Sequence, residues 1–471
     1  MSFLGLLKEC QAKNIKLAVR NGKLLLNDEG GNLSEDLTAA LKLHKAELIE
    51  WIQGNEEPAP TIRRLENRSN YPLSFSQQRL WFIDQLEGGS AQYNIPVALG
   101  LTGRLNQDAL QQALDAIVAR HAVLRTVFRQ IDDEPVQVVR PAVTVLVDRI
   151  DLSGLSEAER SQRVQDLTVA EAKKPFDLSR DLMLRCGLIH LGADSHVVLF
   201  TMHHIASDGW SMGVLIKEFV ALYEAFIEGR PDPLPPLPVQ YADFAGWQRQ
   251  AMQGGLLEAE LAHWQARLAG MPTIHSLPLD KPRPAEQSFA ANRHSQVIDR
   301  AMLDALRHLG RAHGATLFMV LQAAFAALLS RFSGETDVVM GVPNAGRTQK
   351  ELAPLIGFFI NTLIFRTQIS EDLQVKELLE QAKHTALDAF AHSNIPFDLL
   401  SDALKHERSL AYNPLCQIKF VLQNFESGEL ELPGLQLEPV GQGDEQVHFD
   451  LDLTASESDT GLQLSWTYKD E

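Results

Sequence analysis

One segment constrains the fold of this chain more than any other: HVVLFTMHHIASDGWSMGVLIKEF, residues His196–Phe219. Its first half is an apolar run that predicts a strand, and this strand leads directly into two adjacent histidines, His203 and His204. A short loop then passes Asp208 and Gly209 before an apolar helix begins. Adjacent residues at a strand end point to opposite faces, so we expect one imidazole in the interior and the other in a cleft.

The spacing of these residues allows two interpretations. An imidazole with a pKa near neutrality can take a proton from an attacking amine or hydroxyl, and the Gly209 amide at a helix start can donate to a developing oxyanion. Alternatively both histidines are core residues beside an Asp208 cap, since such pairs and Asp-Gly turns are common. Ser211 can also cap the helix. We expect no metal here, because no third ligand lies at ligand spacing, and no serine nucleophile, because the Gly-x-Ser-x-Gly elbow is missing.

Charge and cysteine usage exclude several classes of function. The chain has 43 basic and 61 acidic residues, a net charge of −18 that disfavours nucleic acid or an anionic membrane as a partner. No apolar run reaches the roughly 18 residues that a membrane span needs. The start, MSFLGLLKECQ, has no basic signal-peptide region, so we expect a cytoplasmic protein. Cys10, Cys186 and Cys416 are too few and too widely spaced for a disulfide framework or a zinc cluster.

The first fifty residues predict a small α-β-β-α module. Phe3–Ala12 has helical periodicity, two alternating apolar runs flank Asn21-Gly22, and Ser34–Trp51 is a second helical pattern. An Asn-Gly between such runs is the strongest short hairpin signal. Four basic residues fall on or beside this hairpin and form a candidate docking surface: Lys13, Lys16, Arg20 and Lys23. They either bind an acidic peptide or are solvated edge residues that discourage aggregation.

The remainder predicts one large mixed α/β body. Residues 55–71 are polar and proline-containing, which indicates a linker, and the proline-rich stretch Arg230–Pro238 divides the body into two lobes. The periodicity predicts helices at Asn106–Arg120, Glu157–Ala172, Ala301–Ser330 and Leu373–His392. It predicts strands at Val136–Val139, His196–Met202, Asp337–Val342, Phe359–Thr367, Leu415–Leu422, His448–Thr454 and Gly461–Tyr468.

Residues His203–Gly209 match the signature His-His-x-x-x-Asp-Gly and resemble the condensation domains of nonribosomal peptide synthetases. Further motifs of that family appear in order at Leu73–Leu86, Arg120–Phe128, Tyr241–Gln248, Ile356–Arg366, His392–Leu400 and Tyr412–Asn424. One departure is Ala122, where the family usually has an acid. The first module resembles the tubulysin-type docking domain, whose hairpin receives a short C-terminal peptide of an upstream synthetase.

The resemblance implies an α/β fold of two chloramphenicol-acetyltransferase-like lobes in a V, preceded by a docking domain. We predict the docking domain at 1–54, the linker at 55–71, and the lobes at 72–240 and 241–471. It further implies a tunnel between the lobes, with the loop Pro343–Lys350 in its floor. Donor and acceptor carrier proteins dock at its two mouths, so no cofactor is bound and phosphopantetheine arms bring in the substrates. The family usually continues past the last strand into a further helix, so we expect Glu471 to be a clipped boundary.

Carried onto this sequence, the motif makes His204 the catalytic histidine, which positions the attacking amine and takes its proton. His203 is then structural, and Asp208 forms an ion pair for which Arg125 is the predicted partner. Gly209 leaves room for the pantetheine arm, and Ser211 either assists with its hydroxyl or caps the helix. Outside the motif, we expect Trp81, Trp210 and Trp247 to be packing anchors. We place Asn361 and Arg366 at the tunnel or the lobe interface without a catalytic step.

The predicted function is amide formation between a carrier-bound acyl or peptidyl thioester and a carrier-bound aminoacyl acceptor. A starter domain that uses a fatty acyl donor remains open, and so does a non-catalytic platform that recruits carriers. Trp210-Ser211 disfavour an epimerisation domain, which usually replaces this pair. Free acyl-CoA transferases share the fold, but the docking leader favours carrier-bound substrates.

Overall fold

The computed structural model describes residues 15–20, 23–28, 37, 41, 44–45, 62–66, 69–253, 255–404, 409, 411–423, 431–432, 434–440 and 447–470. The chain divides into two compact units, residues 1–62 and residues 63–471. This division lies within the stretch where the sequence predicts a linker.

The described part of the first unit contains the predicted hairpin. Strand β1 (Ile15–Arg20) pairs antiparallel with β2 (Lys23–Asp28), and Arg20 lies opposite Lys23, so two residues connect the strands. This register confirms the hairpin that Asn21-Gly22 predicts. The predicted helix Phe3–Ala12 lies outside the described residues. Of the predicted helix Ser34–Trp51 the structure describes four residues, among which Leu37 and Leu41, four apart, are 0% and 2% exposed.

The second unit alternates helices with strands. Its helices are α1 (Phe75–Glu87), α2 (Gln107–Arg120), α3 (Glu157–Ala172), α4 (Gly209–Ile227), α5 (Tyr241–Ala251), α6 (Gly255–Leu268), α7 (Arg300–Ala312), α8 (Leu317–Ser333), α9 (Val375–Ala391) and α10 (Phe397–Ala403). Its strands in the first half are β3 (Tyr71–Pro72), β4 (Asn94–Gly103), β5 (Thr126–Ile131), β6 (Glu134–Val139), β7 (Val147–Asp151), β8 (Leu184–Gly192) and β9 (Ser195–His203). Those in the second half are β10 (Ala291–Asp299), β11 (Asp337–Asn344), β12 (Asn361–Gln368), β13 (Ile418–Gln423), β14 (Glu431–Leu432), β15 (Leu435–Pro439), β16 (Leu451–Ser458) and β17 (Gly461–Lys469).

Two six-stranded mixed sheets organise this unit. The first has the order β14-β15-β4-β9-β8-β7, and a small sheet β3-β6-β5 lies beside it in the chain. The second has the order β10-β17-β16-β13-β11-β12. Helices α8 and α9 contribute to a large apolar core with this second sheet, in which Phe365 and Phe420 are fully buried. The sheets confirm the predicted mixed α/β class.

The two lobes are not two contiguous stretches of chain. Strand β15 comes from the second half, yet it pairs with β4 of the first sheet, where Leu435 lies opposite Gly103. Gly103 has φ +129° and a Cβ there would lie 2.1 Å from the Gly434 carbonyl oxygen, so only glycine permits this approach. The predicted ranges 72–240 and 241–471 are therefore corrected at this point, because β14 and β15 complete the first sheet.

The helix predicted at Ala301–Ser330 is wrong as a single element. The chain ends α7 at Ala312 and starts α8 at Leu317, and the two axes differ by 102°. Gly314 takes φ +62° at the break, and the Thr316 side chain caps the new helix by accepting from the Met319 amide. Both halves have a continuous apolar face, which is why periodicity alone joins them.

Among the described residues, no single helix has the length and apolar character to cross a membrane, and only the bent pair of α7 and α8 meets those two criteria together.

Candidate active site

Strand β9 delivers the two histidines. It lies between β4 and β8 in the first sheet, and its residues from His196 to His203 are all buried. A single 3-10 turn, His204–Ala206, follows directly. The His204 amide donates to the Tyr93 carbonyl over 2.8 Å, which fixes the chain where the strand ends.

His203 faces the interior of the first lobe. Its side chain is 2% exposed, its Nδ1 accepts from the Ile205 amide over 3.1 Å, and its ring meets Phe176 edge-on at 5.6 Å. Burial lowers the pKa of His203 to about 3, so the ring is neutral. These contacts support the structural role predicted for it.

His204 is the half-buried member of the pair. Its ring packs against Phe358 at 4.8 Å, and its Nδ1 has no hydrogen-bond partner within the part of the chain that the structure describes. Burial lowers the pKa of His204, which the negative charge of Asp208 partly opposes. The imidazole is therefore neutral at pH 7 and able to accept a proton.

Asp208 is buried where the two lobes meet and ties them together. It is the N-cap of α4, and its Oδ1 accepts from the Ser211 amide over 2.8 Å. Its other oxygen, Oδ2, accepts from the Phe359 amide over 3.0 Å, just before β12 of the second lobe. Ser211 is therefore the third residue of α4, and the prediction that it caps this helix is wrong because Asp208 already occupies that position.

The cation that pairs with Asp208 is Arg347. Its Nη2 lies 3.1 Å from Asp208 Oδ1, and both side chains are almost fully buried. Its guanidinium stacks on the Phe359 ring at 4.1 Å, and its Nη1 donates to the Leu352 carbonyl over 3.1 Å. Arg347 belongs to the loop Pro343–Lys350, so this loop anchors the motif.

The prediction that Arg125 pairs with Asp208 is wrong. Arg125 donates to the Arg140 carbonyl over 2.5 Å and to the Ala119 carbonyl over 3.3 Å, both within its own lobe. It ends a 3-10 turn that packs beside β6. The motif order favours a cation of the first lobe, whereas the actual partner comes from the other lobe.

The Ser211 hydroxyl is surrounded by polar partners. It lies 2.7 Å from Asp208 Oδ1 and 2.9 Å from the Gly357 carbonyl, and it accepts from the Gly357 amide over 3.0 Å. Arg347 Nη2 also donates to it over 2.9 Å. A hydroxyl held this way bridges the lobes and has no freedom to act as a nucleophile.

A second bridge between the lobes was missed from the sequence. His121 is buried, its Nε2 lies 2.7 Å from Glu218 Oε2 on α4, and its Nδ1 accepts from the Ile356 amide over 3.3 Å. Arg120 pairs with the other oxygen of Glu218 over 2.9 Å. Burial lowers the pKa of His121. The Arg-His pair of Arg120–Phe128 is visible in the sequence, but nothing local indicates its partners.

Gly209 faces open space. A Cβ added to this first residue of α4 would meet no atom within 4 Å, and the residue is exposed. Gly357 is the opposite case, because a Cβ there would lie 2.1 Å from the Tyr241 ring. The helix start thus has open space at Gly209, and its use by a pantetheine arm stays a prediction.

The remaining predicted residues lie outside the histidine turn. Trp210 is 39% exposed, and its Nε1 donates to the Ala353 carbonyl over 3.0 Å, so it is only partly a packing anchor. Trp81 and Trp247 are half-buried. Asn361 donates to the Ile395 carbonyl over 2.8 Å, and Arg366 pairs with Asp337 over 2.6 Å, both within the second lobe.

The remaining candidates from the sequence are the cysteines and the docking residues. Cys186 and Cys416 are buried free thiols whose pKa burial raises, to about 12 for Cys416, so neither is a thiolate. Lys13 and Cys10 lie outside the described residues. Lys16 and Arg20 lie on β1 and Lys23 begins β2, where Arg20 and Lys23 lie opposite each other in the register.

Comparison with known proteins decides the family. Residues 67–471 match the model of the condensation domain, and residues 5–53 match the TubC N-terminal docking domain. The chain belongs to the condensation domain family. A linear gramicidin synthase protein of Brevibacillus parabrevis is 44% identical over 92% of this chain, which spans 6% of that protein. Phosphinothricin tripeptide synthetase PhsC of Streptomyces viridochromogenes is 41% identical over 78% of this chain and 34% of its own length.

Solved structures agree on the fold. The X-domain from teicoplanin biosynthesis superimposes with a TM-score of 0.78 at 28% identity, covering 87% of this condensation-family chain and 92% of that domain. The first condensation domain of the CDA synthetase gives 0.70 at 21% identity, with 85% and 91% covered. These matches confirm the predicted fold class, two chloramphenicol-acetyltransferase-like lobes with a small docking domain.

Proposed function

We propose that this condensation-family chain forms an amide bond between a carrier-bound acyl or peptidyl thioester and the amine of a carrier-bound aminoacyl group. The observation that carries the proposal is the position of His204, half-buried at the end of β9 and followed by Asp208, which the ion pair to Arg347 anchors between the lobes. Phosphopantetheine arms on two carrier proteins bring in both substrates, and no cofactor is bound. The setting is cytoplasmic.

In the proposed reaction the acceptor amine attacks the donor thioester carbon. A carbon–nitrogen bond forms, the carbon–sulfur bond breaks, and the thiol leaves on its pantetheine arm. His204 accepts the amine proton, which then passes to the departing sulfur. A thioester is already activated, so holding the two groups in line supplies much of the acceleration.

Transfer is direct, without an acylated protein. Ser211 is held by four polar contacts, and the two described cysteines are buried with raised pKa values. The described residues near the motif thus offer no activated nucleophile.

The test is intact-mass detection of product between a loaded donor carrier and a loaded aminoacyl carrier, with fatty acyl, aminoacyl and peptidyl donors in parallel. We expect product with aminoacyl or peptidyl donors and at least about a 100-fold slower reaction for His204→Ala. His308→Ala, an exposed histidine on α7, is the matched control and should react like the wild type. Product only from fatty acyl donors would identify a starter domain.

A second candidate is a platform that recruits another protein. One solved relative is described as a complex of the X-domain and OxyB from teicoplanin biosynthesis, with 28% identity and a TM-score of 0.77. In that case folded protein would bind carriers but give no product with any donor class, and His204→Ala would change nothing.

We also propose that the hairpin carrying Lys16, Arg20 and Lys23, together with Lys13, binds an acidic C-terminal peptide of an upstream synthetase. The described register supports this because Arg20 and Lys23 lie directly opposite each other on the paired strands. An acidic peptide should bind with an affinity that falls at high salt, and at least about 10-fold more weakly to Lys16→Glu. Equal binding by Lys16→Glu and by Lys350→Glu, a control in the second unit, would contradict the proposal.

A further inference from the structure

Two helices of the second lobe carry a cluster of metal-ligand side chains that the condensation reaction does not use. Glu260 and His263 lie three residues apart on α6, and Asp388 on α9 lies four residues before His392, the C-cap of α9, so the members of each pair are close in space. One ligand atom each of His263, Asp388 and His392 lies within 4.8 Å of the others. The set combines two imidazoles with a carboxylate, ligands that suit Zn²⁺.

The contacts inside the cluster leave ligand capacity free. His263 Nε2 is buried without a hydrogen-bond partner among the described residues and lies 3.4 Å from Asp388 Oδ2. His392 Nδ1 lies 3.2 Å from Glu260 Oε2, and Glu260 is only 5% exposed. Because an ionised carboxylate can only accept a hydrogen bond, His392 Nδ1 carries the proton that it donates to Glu260, and the Nε2 lone pair of that ring remains available.

Metal-binding histidines are usually oriented in this way: one ring nitrogen binds the metal and the other donates to a carboxylate. The helices are also held in place around it. Trp264 Nε1 donates to the His392 carbonyl over 3.0 Å, and Arg267 Nη2 donates to Thr385 Oγ1 over 3.2 Å. The cluster is therefore a built feature of the α6–α9 contact.

An ion has access to the cluster from the surface. His263 and Asp388 line a solvent-open groove of about 1340 Å³, which also includes His384 of α9. The side chains of His263 and Asp388 are 25% and 36% exposed.

One adjustment is needed for both rings to share an ion. The His263 and His392 rings stack with centroids 3.5 Å apart and planes 11° from parallel, whereas an imidazole binds a metal in its own plane. His263 must therefore rotate, and its Nε2 has no hydrogen bond to lose among the described residues.

We propose that His263, Asp388 and His392 bind one Zn²⁺ ion, that Glu260 orients His392, and that the ion clamps α6 to α9. The site is separate from the His204 turn, so the proposal does not depend on the condensation activity. A water molecule supplies the fourth ligand, the pattern of an open three-residue zinc site.

The test is calorimetric titration of the untagged, chelator-treated full chain with Zn²⁺ alone. We expect about one equivalent to bind and the melting temperature to rise with Zn²⁺, because the ion binds the folded state. His263→Ala and Asp388→Asn should each weaken binding at least about 100-fold, and Glu260→Gln about 10- to 100-fold. His384→Ala, in the same groove but outside the cluster, is the control and should bind like the wild type.

Two results would overturn the proposal. One is no stoichiometric Zn²⁺ binding by the wild type, and the other is equal affinity in wild type, His263→Ala and Asp388→Asn. Circular dichroism of each variant without Zn²⁺ separates loss of the ligand from loss of the fold. Binding of Co²⁺ with visible absorption that His263→Ala abolishes would identify a nitrogen ligand directly.

Discussion

The two carboxylate oxygens of Asp208 bind different parts of the molecule. Oδ1 caps α4 and meets Arg347, while Oδ2 holds the Phe359 amide of the second lobe. The same carboxylate therefore fixes the histidine turn and the lobe junction. A change here is expected to affect folding and activity together.

Replacing Arg347 should expose that coupling. Arg347→Met leaves Asp208 buried without its cation, which we expect to cost about 3 kcal/mol of unfolding free energy. Condensation should fall with it. The matched variant is Arg125→Met, which leaves the Asp208 ion pair intact. Urea unfolding measures the stability of both variants, and the condensation assay measures their activity. A larger loss of activity for Arg125→Met than for Arg347→Met at equal stability would restore Arg125 as the functional partner.

A side chain at Gly209 tests substrate access separately from stability. Gly209→Leu should keep the wild-type melting temperature within about 2 °C, because its Cβ meets nothing within 4 Å. The added side chain should nevertheless block the space beside His204 and lower condensation at least about 10-fold, as any obstruction of the reacting geometry does. Gly154→Leu, also without a neighbour within 4 Å, is the control. Unimpaired condensation by Gly209→Leu would show that substrate does not pass this residue.

Sequence could identify the residues of one turn but not their distant partners. His203 and His204 are recognisable because a strand end places neighbours on opposite faces, and the structure shows one buried and one half-buried ring. Arg347 lies 139 residues from Asp208, and its loop carries no signal beyond polarity. The contact between Glu218 and His121 was not predicted for the same reason, since it depends on how α4 packs beside α2.

Among the elements, β9 carries a histidine, His203, whose burial makes stability depend on pH. His203 has a folded pKa of about 3 against about 6.5 in an unfolded chain. The unfolded state therefore binds more protons between those values, and stability falls as pH drops from 6.5 towards 3. The expected contribution is about 1.4 kcal/mol for each pH unit within that window.

The variant that tests this is His203→Asn, whose side-chain oxygen can replace Nδ1 as acceptor for the Ile205 amide. Its unfolding free energy, measured by urea titration from pH 6 to pH 4, should have a slope shallower by about one proton. His308→Asn on the exposed face of α7 should keep the wild-type slope. An unchanged slope for His203→Asn would mean that His203 is not held neutral.

Element boundaries show where periodicity is informative. Periodicity predicts helix Glu157–Ala172 with the same ends that the structure has, and in the structure Ser156 and Glu159 form a complete capping box at its start. The break between α7 and α8 was missed because the signal lies in one glycine, Gly314, within two apolar patterns. The proposed zinc cluster is only partly predictable from the sequence. The spacings Glu260-x-x-His263 and Asp388-x-x-x-His392 are visible there, but the packing of their two helices against each other is not.

For the molecule as a whole, β15 comes from the second half of the chain but pairs with β4 in the first sheet, so we expect the lobes to unfold together. Gly103→Ala places a Cβ 2.1 Å from the Gly434 carbonyl oxygen at φ +129°, so we expect a loss of about 1–3 kcal/mol and easier proteolysis near residue 435. Gly192→Ala, with no neighbour within 4 Å, should be neutral. Thermal melts with limited proteolysis measure both effects, and two separate transitions within residues 63–471 of the wild type would contradict a joint unfolding of the lobes.

The strand exchange also has a consequence for the order in which the chain is made. A ribosome releases β4 early, but β15, which pairs with β4, emerges more than three hundred residues after it. Until then the outer edge of β4 is an open row of amides and carbonyls, the feature by which nascent strands pair with wrong neighbours. The first sheet is therefore complete only after most of the second lobe has been synthesised. A nascent chain stalled before residue 435 should bind chaperones that a finished chain does not need.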